Sequence, residues 1–257
     1  TTQIMQMEVD KMKKLLTALT AVGVLAGVAL AEDVTSVNIV GYKKHTVEGG
    51  KNYLVSSQFQ SIDGTAVTPD TLIGNQLPEG SKLHHFNTQL PGGPNYETSE
   101  RVISVNPFDP LDVTDAWIPD VVLDGTKGFW LQVAGPTGVY HEVAFLGEVP
   151  QQGTITNIVA GGNTMIAYPY TADIAFSNTT LYINSDYSDK IHFWDGEGQG
   201  YITFEKVLVV NPFDPLDVFD GWNNGGEDYV IPQGAGMWYQ TTNNQAEYAE
   251  IRPYLNN

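Results

Sequence analysis

The chain reads as an all-β protein of two tandem homologous β-sandwich or open-barrel domains produced by an internal duplication. Three observations carry that expectation. The nonapeptide Val105-Asn-Pro-Phe-Asp-Pro-Leu-Asp-Val113 recurs unchanged at 210–218, 105 positions later. Short β-branched and aromatic runs, six or seven per half, are separated by Gly-, Pro- and Asn-rich breaks, as antiparallel strands are. No long segment shows helical periodicity, and the 26 glycines and 14 prolines suit loop-rich β structure. A period near 105 is that of a domain pair and exceeds the repeats of solenoids.

From the N-terminus, residues 1–31 are expected to be a bacterial-type signal peptide and to stay outside the fold. Lys11, Lys13 and Lys14 precede an apolar stretch at 15–30, and Ala29-Leu30-Ala31 is a small-x-small cleavage pattern before Glu32. Met12 is a candidate start. No other stretch approaches the ~18 apolar residues a membrane helix needs, so no membrane span is expected after cleavage. Export places the protein in the periplasm, at the cell surface or outside the cell. The expected domains are 32–150 and 151–257. With no cysteine, they are held by packing, with metal as a further candidate. A formal net charge of −18 repels nucleic-acid phosphate and excludes nucleic acid as a partner class.

In the first half, strands are expected at 36–42, 53–55, 83–86, 96–105, 129–133 and 139–145, with a short helix at 69–73. In the second they fall at 154–159, 165–168, 191–194, 201–210, 237–241 and 247–251. Residues 147–153 join the halves. Gly196-Glu-Gly-Gln-Gly200 lies between two strands, lacks the lysine of a phosphate loop and is expected to be a hairpin turn. The correspondence spreads beyond the nonapeptide. Trp117 aligns with Trp222, Trp130 with Trp238 and His84 with His192.

Within the repeated peptide, Asn106 and Asn211 precede proline and are pushed to extended geometry, which ends a strand. Asp109-Pro110 and Asp214-Pro215 then read as helix starts, with aspartate as N-cap and proline at the first helical position. On such a turn Asp109, Asp112 and Asp115 share a face, as do Asp214, Asp217 and Asp220. Capping explains the first two acids of each set. The third lies where negative charge is disfavoured, and Ca²⁺ bound by the six aspartates is the alternative to a purely structural turn.

The opening Ser36-Val-Asn-Ile-Val-Gly-Tyr42 after a signal peptide, Phe145-Leu-Gly-Glu-Val149, and Gly234-Ala-Gly-Met-Trp238 resemble exported bacterial β-repeat proteins. The resemblance spans both halves. It implies export and tandem repetition, and it implies no chemistry. The first half departs from it at Gly125-Thr-Lys-Gly128, which has one residue more between its glycines.

Nucleophilic and metalloprotease chemistry is not supported: there is no Cys, no Gly-x-Ser-x-Gly and no His-Glu-x-x-His. His84 and His192 share strand faces with Lys82 and Phe86, and with Lys190 and Trp194, and read as structural histidines. The strand around Trp130 sets Phe129, Leu131 and Val133 on one face and Trp130 with Gln132 on the other. Met237, Tyr239 and Thr241 against Trp238 and Gln240 repeat this. An aromatic ring beside an amide suits sugar stacking with hydrogen bonding, while a second core layer is the structural alternative. The expectation is an exported, non-enzymatic protein with a structural, glycan-binding or adhesive role at the cell surface. Its ligand residues would be Trp130, Gln132, Trp238 and Gln240. The alternative is an extracellular carbohydrate-active enzyme or its accessory domain, which needs two acids about 5–10 Å apart.

Overall fold

β1 (Val40–Glu48) alternates exposed and covered side chains, and pairs antiparallel with β7 (Tyr140–Glu148), from Val40 opposite Glu148 to Glu48 opposite Tyr140. In this computed structural model the described residues are 39–88, 90, 93 and 95–253, so the signal peptide expected at 1–31 lies outside them. The ribbon covers a five-stranded antiparallel sheet. Its members are β2 (Asn52–Ser56), β3 (Lys82–Asn87), β4 (Asn95–Asn106), β5 (Asp109–Ile118) and β6 (Gly128–Gln132), in the order β2-β6-β3-β4-β5.

The short helix expected at 69–73 is present as α1 (Pro69–Leu72). The Thr68 hydroxyl accepts from the Thr71 N–H, and proline opens the first turn, where its missing donor costs nothing. Behind α1, Ile73 and Leu77 close a core with Val47, Leu83, Trp117, Phe129, Leu131, Val143 and Phe145.

The second half follows the same path with longer strands. β8 (Thr154–Ala167) and β14 (Gly236–Ile251) pair along almost their whole length, so each continues through what the first half divides between ribbon and sheet. With β10 (Lys190–Asp195), β11 (Gly200–Asn211) and β12 (Asp214–Trp222) they give the order β12-β11-β10-β14-β8, the counterpart of the first sheet. A helix α2 (Thr180–Asn184), two 3-10 turns and a small pair, β9 (Ile174–Ala175) with β13 (Val230–Ile231), cover a second core around Phe176, Phe193, Trp222 and Tyr239. Gly196–Gln199 forms the expected turn between β10 and β11. Among the described residues no sheet closes into a barrel.

Each half has its own core cluster, and residues 39–253 fall in a single compact unit. The halves are stitched through backbone groups: Ser56 N–H donates to Gly234 O at 2.9 Å and Ala167 N–H to Thr126 O at 2.9 Å.

One expectation is overturned. Asp109 and Asp214 do not start helices. Residues 107–108 and 212–213 are two-residue turns, and the chain reverses into the edge strands β5 and β12. The aspartates accept from an N–H two residues on, as a cap would, but in hairpin turns, and the asparagines add a side-chain bond that was not expected from the sequence. The Asn106 side-chain oxygen accepts from the Phe108 N–H at 3.0 Å and Asp109 from the Leu111 N–H at 3.1 Å, with identical bonds at Asn211 and Asp214. Asx turns and N-caps satisfy the same nearby N–H groups. The choice between them falls to pairing with β4, which only the tertiary structure supplies. Pro110 and Pro215 are tolerated because an edge strand can spare a donor.

Candidate functional site

The strand bearing Trp130 divides as expected. Phe129, Leu131 and Val133 are buried in the first core, while Trp130 is half-buried and Gln132 exposed on the opposite face. Met237, Tyr239 and Thr241 are buried, leaving Trp238 half-buried and Gln240 exposed.

These outward faces are turned toward each other. Trp130 packs edge-on against Trp194 of the second half, with ring centroids 4.8 Å apart, and Trp238 packs edge-on against Phe86 of the first half at 4.9 Å. Tyr201 stands 6.3 Å from Trp130, and Tyr96 stands 6.5 Å from Trp238. The exchange is reciprocal, each half placing an aromatic pair around the other's tryptophan. Trp194 also donates its indole N–H to the Asn52 carbonyl at 2.8 Å, and the Gln199 side-chain amide donates to the same oxygen at 3.0 Å.

Two adjoining clefts result, meeting at Tyr201. The larger, about 570 Å³, is lined by Asn52, His84, Tyr96, Trp130, Gln132, Trp194 and Tyr201. The smaller, about 270 Å³, is lined by the equivalent Asn163, His192, Trp238 and Gln240 with Tyr201. The register sets the amides: Asn52 and Lys82 both lie opposite Gln132, and Asn163 and Lys190 both lie opposite Gln240. Among the described residues, no Asp or Glu lines either cleft.

The histidines hold structural bonds at the cleft floors. His84 Nδ1 lies 2.8 Å from the Thr98 hydroxyl and His192 Nδ1 lies 2.8 Å from that of Thr203. Burial lowers both imidazole pKa values, with bonds to Gln132 and Gln240 opposing it and Lys82 and Lys190 adding to it. Both rings are therefore neutral at pH 7. Burial raises the Tyr96 and Tyr201 hydroxyls, against hydrogen bonds from Trp130 and Trp238.

The six aspartates are dispersed among other partners. Asp112 accepts from the Asn106 amide at 3.0 Å, as Asp217 does from Asn211. Asp115 is the bidentate counter-ion of Arg101, at 2.9 and 2.6 Å, and Asp220 accepts from the Tyr187 hydroxyl at 3.0 Å. The acid that capping could not explain thus neutralises a buried guanidinium. A strand also rotates residues differently from a helix, so a spacing of three no longer gathers carboxylates on one face. Among the described residues, no three His, Asp or Glu side chains are grouped so as to hold a metal ion.

The apolar residues of the repeated peptide are left in solvent. Phe108 is 96% and Leu111 92% exposed, and Phe213 and Leu216 are 95% and 94% exposed. Val105, Val113, Val210 and Val218 on the same hairpins are exposed as well.

Of the cleft residues, Asn52, Tyr96, Asn163, Trp194 and Tyr201 were not singled out from the sequence. Tyr96 and Tyr201 are related by the offset of 105, so the repeat itself was an available signal. The reciprocal packing was not, because it depends on how the halves face. No family model, curated protein or solved structure matches this chain.

Proposed function

We propose that this is an exported, non-enzymatic structural protein that assembles with further copies of itself at the cell surface through its two identical hairpin tips. The observation that carries this reading is the near-complete exposure of Phe108, Leu111, Phe213 and Leu216 on turns fixed by their own side-chain hydrogen bonds. A single exposed apolar residue needs no explanation. Here a rigid turn holds two of them outward, and the nonapeptide is identical in both halves although no core contact demands it. Such a tip is organised before it binds, so little ordering entropy is lost on docking. Two tips per chain make the contact bivalent. Strand-to-strand pairing is opposed by Pro110, Pro215 and the flanking aspartates on the edge, so the side chains of the tip carry the contact.

Sedimentation velocity of the exported protein over a hundredfold concentration range is the test. Concentration-dependent association, abolished in Phe108→Ser/Phe213→Ser, supports the reading; a monomer at every concentration overturns it.

A second reading, glycan binding, is favoured by the paired clefts of tryptophan, tyrosine and amide side chains. Their lining lacks the two carboxylates of glycoside hydrolysis, which supports a binding module over a carbohydrate-active enzyme. Binding on a glycan array that disappears in Gln132→Ala/Gln240→Ala would establish it.

A further inference from the structure

The chain carries two adjoining aromatic clefts and two hairpin tips, and their chemistry is complementary. We infer that each cleft is the socket for a hairpin tip of a second copy of this chain. The inference rests on the assembly reading above and names its receiving surface.

A tip brings Phe108 or Phe213 beside Asp109 and Asp112, or Asp214 and Asp217. Its receptor must cover a ring and leave carboxylates beside donors. On a chain of net charge −18 most surfaces meet an acidic tip with like charge. The clefts offer aromatic walls from Trp130, Trp194, Tyr96 and Tyr201, or Trp238 and Tyr201, with no acid among the described residues of their lining. The exposed Gln132 and Gln240 amides supply donors at the mouths. Lys82 and Lys190 lie opposite these glutamines, each paired with a glutamate of the next strand, Glu100 at 3.2 Å and Glu205 at 3.4 Å, so the amides and not free cations meet the tip's carboxylates. Edge-to-face packing already joins the cleft rings across the halves, and an entering phenylalanine extends the same arrangement. The larger cleft falls within the size range of small-ligand sites.

Tip and socket are separate sites: in the first half Tyr96 of the cleft opens β4, and the tip follows Asn106 at its far end. The contact is therefore heterologous and repeats from copy to copy, closing into a ring or propagating as a filament. This is the geometry of a surface-building protein.

The test uses substitutions at exposed positions, which leave both cores intact. Gln132→Glu/Gln240→Glu places carboxylates where the tip's aspartates arrive, and association measured by sedimentation should weaken at least tenfold. Gln132→Lys/Gln240→Lys should preserve or tighten it. In parallel, p-benzoylphenylalanine incorporated at Phe108 should photo-crosslink to peptides of a second copy containing Trp130, Tyr201 or Trp238. If Phe108→Ser/Phe213→Ser abolishes association while both glutamine variants assemble as wild type, the assembly reading stands and the socket assignment falls. Crosslinks confined to peptides outside the clefts overturn it as well. A chain that stays monomeric under all conditions removes both.

Discussion

Gly128 and Gly236 touch backbone to backbone where the two halves meet: a methyl group on Gly128 would lie 3.0 Å from the Gly236 Cα, and one on Gly236 would lie 2.8 Å from the Val55 carbonyl oxygen. Each glycine opens the strand that carries its half's cleft tryptophan, β6 or β14. Their missing side chains let the aromatic faces approach. Gly128→Ala and Gly236→Ala should each destabilise the fold by about 1–3 kcal/mol, as overpacking does. For a protein of this size that lowers the thermal midpoint by roughly 2–4 °C per kcal/mol. An unchanged midpoint in either variant would refute the close approach.

Asp115 and Asp220 occupy equivalent positions in unequal surroundings. Asp115 faces the buried Arg101, which also donates to the Leu77 carbonyl, whereas the residue equivalent to Arg101 is Lys206. Lys206 donates to the Tyr182 carbonyl at 3.3 Å and lies 5.5 Å from the centre of that ring. Asp115→Ala should therefore cost about 3–5 kcal/mol, since it strands a buried charge. Asp220→Ala loses one exposed hydrogen bond and should cost no more than about 1 kcal/mol. Denaturant titration of the two variants decides, and equal losses would contradict the asymmetry.

His45 should make the fold sensitive to acid. Its Nε2 is enclosed without a partner, and its ring packs 4.8 Å from Phe145 and lies against Gly234 of the other half. Burial, and secondarily Lys43, lowers its pKa from 6.5 to about 4. The unfolded chain binds the proton first, so stability is lost as pH falls from 6.5 toward 4. His45→Gln should flatten the dependence of the thermal midpoint on pH within that window relative to wild type. Parallel curves for the two proteins would show that His45 contributes nothing there.

The tips should be irrelevant to folding. Phe108→Ser/Phe213→Ser ought to leave the unfolding midpoint of dilute protein within about 0.5 kcal/mol of wild type, as exposed positions without partners do. A large loss measured by denaturant titration would mean that the phenylalanines pack somewhere in the fold and are not presented for docking.

How much of this was legible in advance depended on the range of the interaction. The sequence by itself determined the strands, the alternation that buries Phe129 and Leu131 while turning Trp130 outward, and the correspondence of Trp130 with Trp238. A strand's period of two and a repeated peptide are local properties, written in neighbouring residues. It also determined the side-chain bond of Asp109, which reaches only two residues along the chain. Tertiary structure decided whether that bond caps a helix or closes a hairpin, because β4 and β5 must pair along their length to outweigh a helical turn. It also brought Arg101 to Asp115 and set Trp194 against Trp130, since these partners meet only through strand register and the facing of two sheets. The clefts belong to that second class: each of their residues is ordinary in its own strand, and they form a common surface only where the halves come together.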